Sequence, residues 1–493
     1  MDERPRPARR VPAWAPLAAT CLGQSMVVLD STIVNVALPA MRHALHLSAI
    51  DLQWVVNAYL LTLGGLILLG GRIGDHFGRK RVYLAGGVIF SIASFAGGLA
   101  PTGGVLLAAR GVQGIGAALL APGTLSLLTS AYTEPRERTH ALAVWSATTA
   151  GAGALGVFLG GVMTDLLGWR SVMFVNVPIG ALVLVLGAVA LREPDVGSAR
   201  TQRLDVPAAL SVTAALTALV YGVVETTRYG WGSAQTVVVL GAALILFAVT
   251  AAIEVRTRHP LIPFAILRRG AVATAITLML IHGAAVTATL YFQSLFLQQV
   301  RGYSPLDAGL LMLPFALLII ALPAFSAWIT TRCGPRAVAM VALAVETAGL
   351  LWLSSWSVHG NIAVQVILPA IVVALGAAVC FFAVSVMLTT AIEPEHSGLG
   401  SGLFNAGRQI GGSVGLAALT VIAASHVHGL GGAHSIAVAT AAGYGDALRV
   451  AAGLTVLGIL IVAWHTRARA RSVDRRGAAL VRGEAQASEG SGR

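Results

Sequence analysis

Fourteen apolar runs, each close to the ~20 residues a helix needs to cross a ~30 Å hydrocarbon layer, decide what this chain can fold into. They fall near residues 14–38, 52–71, 82–100, 105–128, 141–163, 172–191, 206–225, 235–253, 271–296, 306–329, 337–356, 362–390, 400–424 and 446–465. The breaks between them are short and marked by Gly, Pro or charged residues, as turns are. Only 11% of the residues are charged, against about 25% in soluble domains, so a water-facing surface of ordinary size cannot be covered. Glycine, with 56 residues, falls inside the apolar runs and not in polar linkers, the habit of membrane helices whose backbones pack closely. The expectation is an all-α integral membrane protein embedded in a lipid bilayer.

The net charge of +12 points to topology and not to nucleic acid. With the N-terminus placed inside and the spans alternating, cytoplasmic segments hold 26 of the 33 basic residues and outer loops hold four, Arg42, Arg170, Arg228 and Arg301. Arg110, Arg408 and Arg449 lie within or beside spans. That is a positive-inside distribution, and it predicts both termini in the cytoplasm. Arg9-Arg10 before the first run imitates a twin-arginine export signal, but the run is too long for a signal peptide and further spans follow it. It reads as an uncleaved first span. Cys21, Cys333 and Cys380 are far apart, match no metal-site spacing or disulfide framework, and read as packing residues. The richness in alanine, glycine and arginine suits a GC-rich bacterial genome, hence a bacterial cytoplasmic membrane.

The segment between runs two and three reads Gly71-Arg-Ile-Gly-Asp75-His-Phe-Gly78-Arg79-Lys80-Arg81. Its glycines allow a sharp reversal with close packing, and Asp75 is placed to pair with a neighbouring arginine or to sit at a helix N-terminus. This segment resembles the signature loop of the major facilitator superfamily. Leu29-Asp30 through Asn35 to Pro39, Leu107 through Arg110-Gly-Val-Gln113-Gly114 to Gly116, Gly302 to Pro314, and Ser401 through Asn405 and Arg408 to Gly412 are similar to motifs of its fourteen-span drug:proton antiporter branch. The resemblance implies two six-helix bundles, 1–191 and 271–465, rocking about a central cavity. Two extra helices would lie in a linker at 192–270, and a disordered cytoplasmic tail at 466–493. It also implies a cytoplasmic gate at Gly71, Asp75, Gly78, Arg79 and Lys80, and a packing motif at Gly156, Gly160 and Gly161. Val157 stands where the branch's antiporter motif carries proline, so a kink is expected to be missing there.

Ionisable groups inside a span are costly unless paired or hydrated, and each is a functional candidate. Asp30 and Arg110 lie at similar depth, roughly 12 and 8 Å from the outer ends of their spans at ~1.5 Å per residue. Burial favours a neutral carboxyl and a nearby arginine favours the charged one. Asp30 is therefore either a proton site or half of a permanent structural pair with Arg110. Arg110, Gln113 and Gly114 share one helical face, which must look into the bundle. Glu346 and His282 fall near the midplane, where transporter sites lie; Glu346 is a candidate proton carrier or a helix–helix contact, His282 a cavity residue or a satisfied core histidine. Asn35, Asn57, Gln113, His282, Asn405 and Arg408 are the candidate substrate-cavity residues, and Asp30, Arg110 and Glu346 the proton-coupling set. Gly407, Gly411 and Gly415 form a packing seam. The basic-free loop Glu393–Gly402 leaves a positive helix end that could receive Asp75. His426, His428 and His434 cluster in an outer loop, read as solvated and not as a metal site.

The single lysine, Lys80, excludes a Gly-x-x-x-x-Gly-Lys-Ser/Thr phosphate loop, and no polar segment is long enough for a nucleotide-binding or catalytic domain. The chain is expected to be no enzyme, to use neither ATP nor a cofactor, and to draw on a proton gradient to export amphiphilic small molecules. The alternatives are a narrow exporter or importer of one metabolite and, from another class, an integral-membrane enzyme or sensor.

Overall fold

Prolines and capping serines set where the helices begin. The computed structural model describes residues 12, 14–193, 206–257, 270–392, 397–429 and 436–490. Its helices are α1 (Ala15–Leu45), α2 (Ala49–Phe77), α3 (Arg79–Gly98), α4 (Gly103–Ala131), α5 (Pro135–Leu167), α6 (Arg170–Phe174), α7 (Asn176–Ala190), α8 (Val206–Tyr229) and α9 (Ala234–Arg256). There follow α10 (Gly270–Leu295), α11 (Pro305–Ala321), α12 (Pro323–Cys333), α13 (Pro335–Leu353), α14 (Leu368–Thr389), α15 (Ser397–Gly429) and α16 (Ile436–Gly490). Ser48 caps α2: its hydroxyl accepts from the Asp51 amide at 3.1 Å, and the Asp51 carboxylate accepts from the Ser48 amide at 3.0 Å. Two otherwise orphaned N–H groups are thus satisfied. Ser304 caps α11 through the Asp307 amide. Pro135, Pro305, Pro323 and Pro335 open their helices, where a missing N–H costs nothing.

All fourteen apolar runs are helical. Among the described residues, twelve helices are long and apolar enough to cross a membrane, or thirteen when α11 and α12, bent by 50° at Pro323, count as one span. The 33-residue α15 is a further long helix outside that tally, so the expected fourteen spans are not established. Run six is divided into α6 and α7 because Pro178 lacks an N–H and its ring conflicts with the carbonyl four residues back. α10 ends in a π-helical turn, Phe296–Val300, and another, Ala363–Ile367, precedes α14. α16 continues past the last apolar run to Gly490, over the segment expected to be a disordered tail.

Helices α1–α7 pack among themselves, and so do α10–α16. α8 packs on α9 and also touches α2 and α15, one helix from each group. Leu216, Val220 and Val224 of α8 form an apolar cluster there with Leu61 and Ala417. The glycines of α5 bring the two groups together. A Cβ at Gly160 would stand 2.6 Å from the Ile33 carbonyl oxygen of α1, and one at Gly161 would stand 2.7 Å from the Pro305 carbonyl oxygen of α11. Val157, where a proline is expected, is buried inside one continuous α5, and Gly156, Gly160 and Gly161 still pack. Gly411 and Gly415 lie against Leu280 and Ala284 of α10, and Gly407 against Ile276, which is the seam expected for that helix.

Replacing Gly161 with leucine forces α5 and α11 apart. The expected loss is ~1–3 kcal/mol, as for overpacked interiors, read as a lower thermal unfolding midpoint of the purified protein.

Candidate functional site

Asp30 of α1 is wholly buried and sits among three donors from two other helices. It accepts from Arg110 of α4 at 2.5 Å, from Gln113 at 3.2 Å and from Asn176 of α7 at 2.8 Å. Arg110 also donates to the Val55 carbonyl of α2 at 3.0 Å and to Gln113 at 3.0 Å, and its guanidinium lies 4.4 Å from the Tyr59 ring centroid. Gln113 in turn donates to Ser94 of α3. A buried ion pair holds only when its remaining hydrogen-bonding capacity is also met, and here five helices meet it. The break before α7 matters to this, since Asn176 is its first residue.

A second buried cluster lies in the other group. His282 Nδ1 of α10 is 3.8 Å from Glu346 Oε2 of α13, and Cys380 of α14 completes a trio whose nearest donor atoms fall within 4.8 Å of one another. Here the bonding is unmet: both Glu346 oxygens and His282 Nδ1 are buried without a hydrogen-bond partner. His282 is therefore not the satisfied core histidine of one reading.

Where the groups meet, the chain uses a proline to make an acceptor. Pro39, inside α1, has no N–H for the carbonyl of Asn35 four residues back. Ser294 of α10 donates to that carbonyl at 2.8 Å, and Gln298 donates to the next one, Val36, at 2.9 Å. The π-helical turn Phe296–Val300 carries Gln298, and also Gln299, which accepts from Arg42 at 3.2 Å. Further along, Ser413 of α15 donates to Asn57 of α2 at 3.1 Å. Asn35 Oδ1, Asn57 Nδ2 and Arg408 Nε are buried without partners.

The expected gate motif forms the α2–α3 reversal. Gly78 has φ of 107°, a conformation that side chains rarely adopt. A Cβ there would come within 2.8 Å of the Glu193 carboxylate. That carboxylate accepts from the backbone amides of Lys80 at 3.2 Å and Arg81 at 3.3 Å, capping α3 at its positive end. Asp75 pairs with Arg79 at 2.8 Å, and Lys80 donates to the Ala188 carbonyl at 2.7 Å. Gly71 faces Pro122 of α4.

The residue set inferred from sequence is thus divided among three places. Asp30, Arg110 and Gln113 meet in one buried cluster and His282 with Glu346 in another. Asn35, Asn57 and Arg408 stand where the groups join, and Asn405, half-buried and partnered, lies one helical turn from Arg408. Asn176, Ser94, Cys380, Ser294, Gln298 and Glu193 were not singled out, although the first four are polar or thiol residues inside apolar runs, which is itself a signal. Residues 393–396 of the loop proposed to receive Asp75 lie outside the described residues, and so do the side chains of His426, His428 and His434.

Residues 20–416 match the family model described as Major Facilitator Superfamily. The chain belongs to the major facilitator superfamily. It is 36% identical over 470 residues to the cephamycin export protein CmcT of Amycolatopsis lactamdurans, with 95% of each chain covered. It is 36% identical to the multidrug resistance protein Stp of Mycobacterium tuberculosis, covering 83% of this chain and 75% of that one. A puromycin resistance protein of Streptomyces alboniger is 32% identical, covering 95% and 94%. Among solved structures, a bacterial homolog of the human lysosomal transporter Spinster, inward-facing and unoccupied, superposes with a TM-score of 0.66 at 16% identity, covering 92% of this chain and 97% of that one. An auto-inhibited POT family peptide transporter gives 0.67 at 14% identity, with the same coverage. This major facilitator is a membrane transporter and not an enzyme.

Two substitutions test the geometry. Arg110→Leu leaves Asp30 buried with no counter-charge and is expected to cost ~3–5 kcal/mol, read as loss of folded protein on heating. Ser294→Ala strands the Asn35 carbonyl, at ~1–3 kcal/mol. Its expected effect is a wider, more populated separation between spin labels on α1 and α10 near Pro39; an unchanged distance distribution would remove the latch.

Proposed function

We propose that this chain is a proton-coupled exporter of amphiphilic drugs, antibiotics or secondary metabolites in a bacterial cytoplasmic membrane. The observation that carries the reading is the buried Asp30–Arg110 pair in a chain whose long-range relatives are named for export of, or resistance to, such compounds. Asp30 is the coupling acid. Its charge is held by Arg110, Gln113 and Asn176, so taking up a proton there would release three donors at once and loosen three helices, α1, α4 and α7, from one another. A transporter needs that kind of link between protonation and packing.

Both termini face the cytoplasm in this reading, supported by the 26 basic residues on that side. α15 is the remaining span, bringing the total to fourteen. The Ser294 and Gln298 bonds then lie at the outer end of the bundle and hold it shut. The Gly78 reversal lies at the inner end, where Asp75 and Arg79 act as a gate. Asn35, Asn57 and Arg408, with buried atoms that lack partners, face the path between the groups and supply its few polar contacts to an otherwise apolar cargo. The coupling needs a gradient of protons and no nucleotide. A narrower exporter of one compound is favoured by the two full-length relatives, each named for a single antibiotic or antibiotic class.

Inverted membrane vesicles test the proposal. Accumulation of a fluorescent amphiphile should require a proton gradient, collapse with a protonophore and fail in Asp30→Asn. Accumulation that survives both treatments would eliminate proton antiport, and a panel of compounds separates broad from narrow export.

A further inference from the structure

The two helix groups each carry one buried ionisable cluster, and in equivalent places. In the first group it is built on the first, third and fourth spans, by Asp30, Ser94 and Arg110, with Asn176 from the sixth. In the second group it is again built on the first, third and fourth spans, by His282, Glu346 and Cys380. The sixth span, α16, adds Thr455, which bonds at 2.7 Å to Thr347 next to Glu346. Their chemistry is opposite. In the first cluster both carboxylate oxygens of Asp30 meet donors. The second holds a fully buried acid whose two oxygens have none, although an imidazole nitrogen stands 3.8 Å away.

We infer that His282 and Glu346 form a second exchangeable proton site, in the second helix group, with His282 as its positioning partner. An unaccompanied carboxylate in this setting is expensive, and such a group neutralises itself instead. One proton held between Nδ1 and Oε2 leaves the pair neutral overall, whichever atom bears it; its loss leaves a neutral imidazole and one net negative charge. The step makes or breaks only an N–H or O–H bond, and the proton comes from and returns to water reaching the cluster. The neighbours bear on the charge state. Cys380 lies beside the pair on α14, and Arg408 stands on α15, whose backbone carbonyl at 408 packs against Gly283, next to His282. On α16, Asp446 and Arg449 pair with each other, and His465 lies by Gly270, turns away from the pair. On α13 itself, Arg336 is near the helix start, about 15 Å from Glu346 at ~1.5 Å per residue. The second site rests on the proton-coupled reading for its use in transport but not for its existence.

Infrared difference spectroscopy of the purified protein across a pH range reads the site directly. A titrating protonated-carboxyl band is expected, with a component missing in Glu346→Gln and displaced by about one pH unit or more in His282→Gln. Cys380→Ser, which keeps the pair, should retain it and controls for packing. A band wholly preserved in Glu346→Gln overturns the inference. So does stoichiometric zinc uptake by the wild type that Cys380→Ser abolishes, which would make the trio a metal site. In vesicles, Glu346→Gln should lose accumulation driven by a pH gradient while keeping downhill exchange of the same fluorescent amphiphile. If wild-type accumulation ignores the gradient, the export reading fails and the infrared result stands alone. If the wild type is gradient-driven and Glu346→Gln equally so, the second site's use in transport fails alone.

Discussion

A charge in hydrocarbon must be accompanied, and the Asp30–Arg110 pair shows what that demand does to a whole bundle. The carboxylate gathers donors from α4 and α7, and the guanidinium reaches a carbonyl of α2 and the ring of Tyr59. No single helix could satisfy either group. The pair therefore ties five helices of the first group together. In a polar solvent such a pair is worth little; here removal of one partner exposes the other to a medium that cannot solvate it.

The two helix groups meet through the packing of α5 on α11 and of α2 on α15. The close approaches at Gly161 and Gly309 bring the backbones of α5 and α11 together with no side chain between them. Hydrogen bonds add to that packing. The ones at Asn35 and Val36 exist because Pro39 withholds a donor and a π-helical turn aims Gln298 across the gap. Breaking two or three hydrogen bonds of this kind costs little beside the packing of either group.

The clusters in the two groups differ in a way that suits division of labour. One is satisfied and holds its charges in place; the other leaves an acid and an imidazole facing each other without a shared hydrogen bond. α5, with Val157 in place of a proline, keeps its packing glycines on one continuous helix between α1 and α11.

Much of this was legible in the residues alone. The apolar runs became helices because a backbone in lipid must satisfy itself along its own length, a local requirement that leaves its mark on sequence. Asp30 and Arg110 were found for the same reason, as ions where ions are costly, and their similar depth made them possible neighbours. Gly78 and the arginines after it marked a reversal. Glu193, which caps that reversal from the end of the sixth span, was invisible because its partner is more than a hundred residues away. So was the meeting of His282, Glu346 and Cys380, each an isolated polar residue in its own run. Sequence determined the segments that must be buried and the ions that must be compensated. Only tertiary structure decided which compensates which, because the partner of a buried charge is set by how helices pack side by side, and neighbours across a bundle leave no periodic trace along the chain.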